Sequence, residues 1–325
     1  MYDRNCEGQG ARERSSDFSS AVHRLPVRYR VSAISIFAPA KLNLFLAVTG
    51  RRSDWFHDLV SVAAHLDFGD TLHVEPATGF SLRCTDPEVP VDETNLVLRA
   101  ARAFAAATSW SGGASFLLEK RIPVGAGLGG GSSDAVAALR GLNRLVEPTR
   151  RLTEEQLAVT AATLGSDCPL FLRNGPLVMR GRGDVISPLP DSAVSRLRGR
   201  RVLVFKPGFG IATSWSYGRL AAMAPGSYYP AAEAEARLQA WLADSAMAPD
   251  ELHFNNMEVP AFAKFIALPA LFSVLEQRFG LRPRMSGSGS ACFIFVGENA
   301  DLTSIQAVIR DSWGASAFVA EARLT

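Results

Sequence analysis

The chain predicts an α+β protein rather than a doubly wound parallel sheet, on three observations. Short β-prone runs and helical runs alternate irregularly along its 325 residues, without the steady strand–helix beat of a parallel sheet. No segment recurs at a fixed period. A polar, proline-containing stretch from Pro188 to Arg201 separates two halves of medium size, which suits two domains. The expected organisation is an extension over residues 1–33, a first domain over 34–190 and a second over 200–325.

Met1 to Arg30 is rich in Arg, Ser and Gly and shows no sustained periodicity. Asp3, Glu7, Glu13 and Asp17 count against a transit peptide, and a secretory signal would need an apolar core. The segment reads as disordered or loosely attached. Val31 to Phe37 is β-prone. Pro39 is expected to break pairing, with a strand resuming from Leu42 to Val48. Asp70 to Val74 and Phe80 to Cys84 read as short strands. Asn95 to Ala107 is helical, capped by Thr94 or Asn95. Ala114 to Glu119 is a strand, and Ser133 to Val146 a helix. Thr153 caps the next helix, which ends at Gly165. Pro169 to Leu172, Leu177 to Met179 and Val185-Ile186 read as short strands. In the second half, Arg201 to Phe205 and Ala291 to Val296 are buried-type strands. Helices are expected over Ser214–Ala222, Glu233–Ala243, Pro269–Phe279 and Leu302–Ser312, with a last strand over Ala315–Glu321.

Composition narrows the function. Hydrophobic residues make up 47% and charged residues 20%, enough apolar material for a real core. The 34 basic and 32 acidic residues leave a net charge of +2 and no basic run, which argues against a nucleic-acid partner. Cys6, Cys84, Cys168 and Cys292 fit no zinc or CxxC spacing, so a reduced, cytoplasmic setting is expected. No apolar run approaches the roughly 20 residues of a membrane helix, and no membrane partner is expected.

The most informative segment is Ile122 to Asp134. It holds five glycines in the seven positions from Gly125 to Gly131 and runs directly into a strong helix former. Glycine lets backbone approach a ligand closely, and a helix start offers free N–H groups and the positive end of a dipole. Together they make a phosphate cradle. A Walker A loop would end in Gly-Lys-Ser/Thr, and no lysine stands here. Gly125, Gly127 and Gly130 satisfy G-x-G-x-x-G, but one long helical stretch follows, with no early strand–turn–helix unit. A flexible linker would not sit between a strand and a helix.

Three further segments could complete a transfer site. Lys41 and Asn43 are two apart in a strand and so share a face. Lys41 is either a cation beside a phosphoryl group or an edge lysine that snorkels. Asp167 stands at a helix-to-strand turn, either a proton acceptor or an Asx-turn residue before Pro169. Met285 to Cys292 is a second Gly-Ser loop, either a tight turn or a close backbone approach to the nucleotide.

Taken together, the segments resemble the GHMP small-molecule kinases. The three motifs are PAKLNLFL around Lys41, PVGAGLGGGSSDA, and SGSGSAC. Within that family the resemblance is strongest to the branch that phosphorylates a cytidylyl-diphosphate-linked methylerythritol in non-mevalonate isoprenoid synthesis. Gly50 to His57, Leu66 to Asp70, Asp92 to Ala101 and Leu164 to Phe171 carry that likeness, which runs from about Ala38 to the end. It implies a two-domain GHMP kinase fold, with a first domain like ribosomal protein S5 domain 2 and a ferredoxin-like second domain. It implies an enzyme using ATP, with the phosphates on Pro123, Val124, Gly125, Ala126, Gly127, Leu128, Gly129, Gly130, Gly131, Ser132 and Ser133. Asp167 would be the base and Lys41 its catalytic partner. Asn43 would contact the acceptor, Phe56 and His57 the cytosine, and Phe209 and Thr213 the substrate border. Mg²⁺ would accompany the phosphates, touching Ser132 or Ser133. The partner is a small molecule, and the chain a monomer or homodimer.

Two residues depart from the branch. Trp55 replaces the usual glycine, which a tryptophan can imitate only at a cost, so a different loop path is expected. Phe56 replaces a tyrosine; its π face can still stack, but a hydroxyl is lost. The competing readings are a homoserine- or mevalonate-type kinase, which the aromatic–His segment disfavours, and a non-catalytic ligand sensor, which retention of Lys41 and Asp167 disfavours.

Overall fold

The computed structural model describes residues 33–325. The expected extension therefore lies, but for its last residue, outside the described residues. The described residues fall within one compact unit.

Two sheets organise it. The first is 7-stranded and is built on a long antiparallel pair, β1 (Ile34–Arg51) and β2 (His57–Ala77). β3 (Ser81–Cys84) leads to α1 (Leu96–Thr108), β4 (Gly113–Glu119) and α2 (Gly130–Leu145). Then come α3 (Glu154–Ala162), β5 (Leu177–Arg180), β6 (Val185–Pro188) and α4 (Asp191–Leu197). The strand order is β3-β4-β2-β1-β8, with β5 on β2 and β6 on β5.

In the second half, β7 (Arg201–Lys206) is followed by α5 (Thr213–Ala222), α6 (Ala231–Ala243), β8 (Phe254–Asn255), α7 (Glu258–Lys264) and α8 (Ala267–Phe279). The chain ends with β9 (Arg284–Met285), β10 (Cys292–Phe295), α9 (Leu302–Trp313) and β11 (Phe318–Arg323). The second sheet runs β11-β7-β10-β9, each pair antiparallel. Counted within this sheet, that is the fourth, first, third and second strand, the ferredoxin-like arrangement.

The halves share material. β8 adds to β1 in parallel, Leu66 bridges to Leu324, and one apolar cluster joins Leu42 and Phe45 of β1 to Val204, Trp241 and Phe293. Among the described residues no single helix is long and apolar enough to cross a membrane.

Local chemistry explains most boundaries. The Asn95 side chain accepts from the Val97 N–H at 2.9 Å and starts α1. Thr153 and Gln156 cap α3 reciprocally. Three expectations are corrected. Pro39 does not end a strand: it pairs with Gly69 beside a bulge, and β1 continues through it. Proline is tolerated at bulges, where a ladder bond is already missing. Gly69 is required there, since a Cβ would lie 2.3 Å from the Ala38 carbonyl oxygen. Cys168–Leu172 is a 3₁₀ helix, not a strand; a short buried apolar run carries no period that separates the two. β2 is far longer than Asp70–Val74, because its first half is buried on both faces and does not alternate.

Candidate active site

The glycine loop joins β4 to α2. Gly125, Gly127 and Gly129 take φ of +63°, +77° and +72°, values that glycine alone adopts freely. Gly129 is the N-cap of α2 and supplies no side chain to its first turn, so N–H groups there remain available to an anion. The second Gly-Ser loop lies directly against this bend. A Cβ on Gly127 would meet the Ser286 carbonyl oxygen at 2.5 Å, the Ala291 N–H donates to the Ala126 carbonyl at 2.9 Å, and Ser286 Oγ donates to the Gly127 carbonyl at 3.3 Å.

The bulge in β1 brings Lys41 to the same place. Its backbone N–H donates to the Leu128 carbonyl at 3.0 Å. Its Nζ lies 3.7 Å from Asp167 Oδ2 and donates to Asn43 Oδ1. Lys41 is 5% exposed. Burial pulls its pKa below the ordinary lysine value, while Asp167 works in the opposite direction. The Asp167 side chain is 40% exposed; the residue stands at the N-cap position of the 3₁₀ helix without a side-chain capping bond. Asn43 is fixed from both sides: Nδ2 donates to Ser61 Oγ at 2.9 Å and its backbone N–H to Ser286 Oγ at 3.2 Å.

The glycine bend, Lys41, Asn43, Ser61 and Asp167 border one cavity of about 460 Å³. Its lining includes each loop residue from Pro123 to Ser132, together with Lys41, Asn43, Asp167 and Thr213. Thr213 Oγ1 lies 3.0 Å from Ser288 Oγ of the second Gly-Ser loop. Ser133 does not line the cavity: it is buried, and its Oγ has no hydrogen-bond partner. Phe56, His57 and Phe209 are not part of the lining either. His57 reaches it through Tyr217, a lining residue whose ring centroid is 4.9 Å away. Phe209 stacks on Phe265 at 5.1 Å, and its carbonyl accepts from Ser290 Oγ; it braces the loop from behind.

The hairpin tip between β1 and β2 is largely in solvent. Trp55 is 74% exposed and adopts φ +70°. It thus takes the left-handed backbone a glycine would supply, at a cost of about 1–2 kcal/mol. The Arg51 guanidinium covers its ring at 4.3 Å, and Arg182 covers Phe56 at 5.0 Å.

At the cavity's other end stand Val89, Pro90, Asn95 and Leu96, with a buried charge cluster beneath. Lys120 Nζ binds Asp70 and Asp134. Asp70 Oδ1 accepts from the Arg121 and Ile122 N–H groups at 2.5 and 2.8 Å, which fixes the chain just before the glycines. Burial pushes the Asp134 carboxyl up to about 7 against the pull of Lys120. Lys120 resists its own burial because both carboxylates attract it, and its pKa is raised. Sequence reasoning missed this cluster and Tyr217, whereas Ser288 stands in the second Gly-Ser loop it singled out. Asp134 stood inside the quoted motif, and Lys120 two residues before it, but nothing in their spacing announced Asp70 as the third member.

The GHMP kinases N terminal domain family matches residues 95–175. A crystal structure of 4-(cytidine 5'-diphospho)-2C-methyl-D-erythritol kinase superposes with a TM-score of 0.70 at 35% identity, covering 89% of this chain and 99% of that one. Homoserine kinase from Cytophaga hutchinsonii shares the fold at 16% identity, with a TM-score of 0.67 over 90% of this chain and 95% of its own. The 4-diphosphocytidyl-2-C-methyl-D-erythritol kinase of Salinibacter ruber is 38% identical over 267 residues, 81% of this chain and 90% of its own length. With that identity over that span, and a glycine bend facing a lysine–aspartate pair, the chain belongs to the 4-diphosphocytidyl-2-C-methyl-D-erythritol kinase family of GHMP kinases.

Proposed function

We propose that the chain phosphorylates the C2 hydroxyl of 4-diphosphocytidyl-2-C-methyl-D-erythritol with ATP, in non-mevalonate isoprenoid precursor synthesis. The observation that carries this reading is the Lys41–Asp167 pair, 3.7 Å apart, on the wall of the cavity that the glycine bend also lines.

The triphosphate lies on the N–H groups of Gly125 to Ser132. The adenine occupies the end lined by Val89, Pro90 and Leu96, beside the Lys120–Asp134 cluster. Asp167 accepts the proton of the attacking hydroxyl, early or late, since phosphoryl transition states are loose. Lys41 offsets charge on the transferring oxygens. Asn43 holds the Lys41 ammonium through Oδ1, and its second Nδ2 hydrogen is free for the acceptor. Tyr217, braced by His57, offers a ring to the cytosine. Phe56 closes from the hairpin side, and Thr213 borders the substrate.

Mg²⁺ fits this cavity through oxygen donors. Ser132 lines it and Asp167 opens into it, and such ions keep several waters and substrate phosphates as ligands. The ion would supply charge neutralisation at the phosphate oxygens. Of the two serines proposed as ligands, Ser132 has the suitable position. A cytoplasmic setting goes with this reading, with Cys84, Cys168 and Cys292 as free thiols.

The test compares acceptors with ADP release as readout. The cytidylyl methylerythritol should support turnover, and homoserine and mevalonate should not. Turnover with either of these and none with the cytidylyl compound would reject the reading.

A further inference from the structure

Behind the catalytic pair lies a second cavity of about 470 Å³ that the transfer reaction does not use. Arg140, Arg173 and Arg198 line it, and no acidic side chain does. Among the described residues these arginines form no ion pair. Arg140 is held in place by a bond from Nη2 to the Leu172 carbonyl at 3.0 Å. Glu154 and Glu155 act on Arg140 and Arg173 from the start of α3 but lie outside the lining. Three cations gathered on one concavity repel one another, a cost that the two glutamates outside the lining offset only in part and that an anionic ligand lowers further.

A buried polar atom points to the same occupant. His65, on the cavity wall, is 5% exposed, and its Nε2 has no hydrogen-bond partner. Such an orphan costs free energy until a partner arrives. Burial and the nearby Arg140 charge keep the ring neutral, with a pKa lowered to about 4. Pro39, Leu66, Phe171 and Phe37, the last 47% exposed, give the cavity an apolar wall, and Asn174 and Thr325 add polar groups.

We propose that this cavity binds an organic phosphate, its anionic head on Arg140, Arg173 and Arg198 beside His65, and its apolar part on Phe37 and Pro39. The wall between this cavity and the active site is thin. Phe171 stacks on His65 at 5.2 Å, and on its other side a Cβ placed on Gly129 would meet Phe171 Cζ at 2.7 Å and Lys41 Cγ at 3.1 Å.

The experiment uses the full chain with its active site filled by a non-hydrolysable ATP analogue and cytidine diphosphate. n-Pentyl diphosphate and inorganic pyrophosphate are titrated in separately. The readout is the His65 ring signal by NMR, assigned by its loss in His65→Asn. Pentyl diphosphate should shift the signal saturably and bind about tenfold more tightly than pyrophosphate. Arg173→Ser/Arg198→Ser changes two exposed side chains, leaves the fold intact and should weaken binding by about tenfold or more. No saturable shift, or equal affinity in the double variant, would overturn the site. Equal affinity for the two probes would overturn the role of the apolar surface.

Discussion

On the proposed reading, the donor end and the acceptor end of the cavity are built from different materials. The donor end is backbone: glycines at positive φ, a bare helix start, and a second Gly-Ser loop pressed against the first. The acceptor end is side chains, from the half-buried Tyr217 and the buried His57 to an open hairpin with Trp55 and Phe56 in solvent. The glycine bend tolerates little variation, because Gly125, Gly127 and Gly129 stand at positive φ and a Cβ on Gly127 would meet backbone. An aromatic hairpin tolerates substitution, because a π face survives many changes. The departures at Trp55 and Phe56 fall where the material is forgiving.

Mutations should separate the two ends. Asp167→Asn touches the chemistry they share and should lower kcat by about 10²–10⁴-fold, with nucleotide affinity measured by calorimetry nearly unchanged. Turnover at the wild-type rate would remove Asp167 from its role. Gly127→Ala attacks the donor end alone. Its Cβ would lie 2.5 Å from the Ser286 carbonyl oxygen at φ +77°, so a loss of about 2–4 kcal/mol in thermal unfolding is expected, together with a raised KM for ATP. Wild-type stability would show that the two loops are not rigidly packed.

Phe56→Ala addresses the acceptor end. It should raise KM for the cytidylyl substrate by about tenfold, a stacking loss of 1–2 kcal/mol, and leave KM for ATP alone. An equal rise in both constants would dissolve the distinction between the ends. Trp55→Gly should have the smallest effect and the opposite sign on stability. Relief of the left-handed backbone outweighs the exposed Arg51 contact, so the variant should unfold about 1 kcal/mol later. A less stable variant would mean that the indole makes contacts beyond Arg51.

Legibility followed the same division. The glycine bend, Lys41, Asn43 and Asp167 were readable because each chemistry demands a residue type at a fixed place in the chain. The ferredoxin-like half followed from resemblance, and the structure bears it out in strand order. Unread were features that depend on partners distant in sequence. The Asp70–Lys120–Asp134 cluster joins three elements. The two-residue β8 exists only because β1 offers it an edge. Cys168–Leu172 is too short for any period to distinguish helix from strand. Phe209 matched a motif, yet its ring packs on Phe265 and its service is a carbonyl to Ser290.

The central claim concerns where the terminal phosphate sits, and a crystal structure with a non-hydrolysable ATP analogue measures that directly. The γ-phosphate oxygens should lie on N–H groups between Gly125 and Ser132, with Lys41 Nζ within about 4 Å of the nearest one. A terminal phosphate away from Lys41 and Asp167, with the glycine bend empty, would contradict the account.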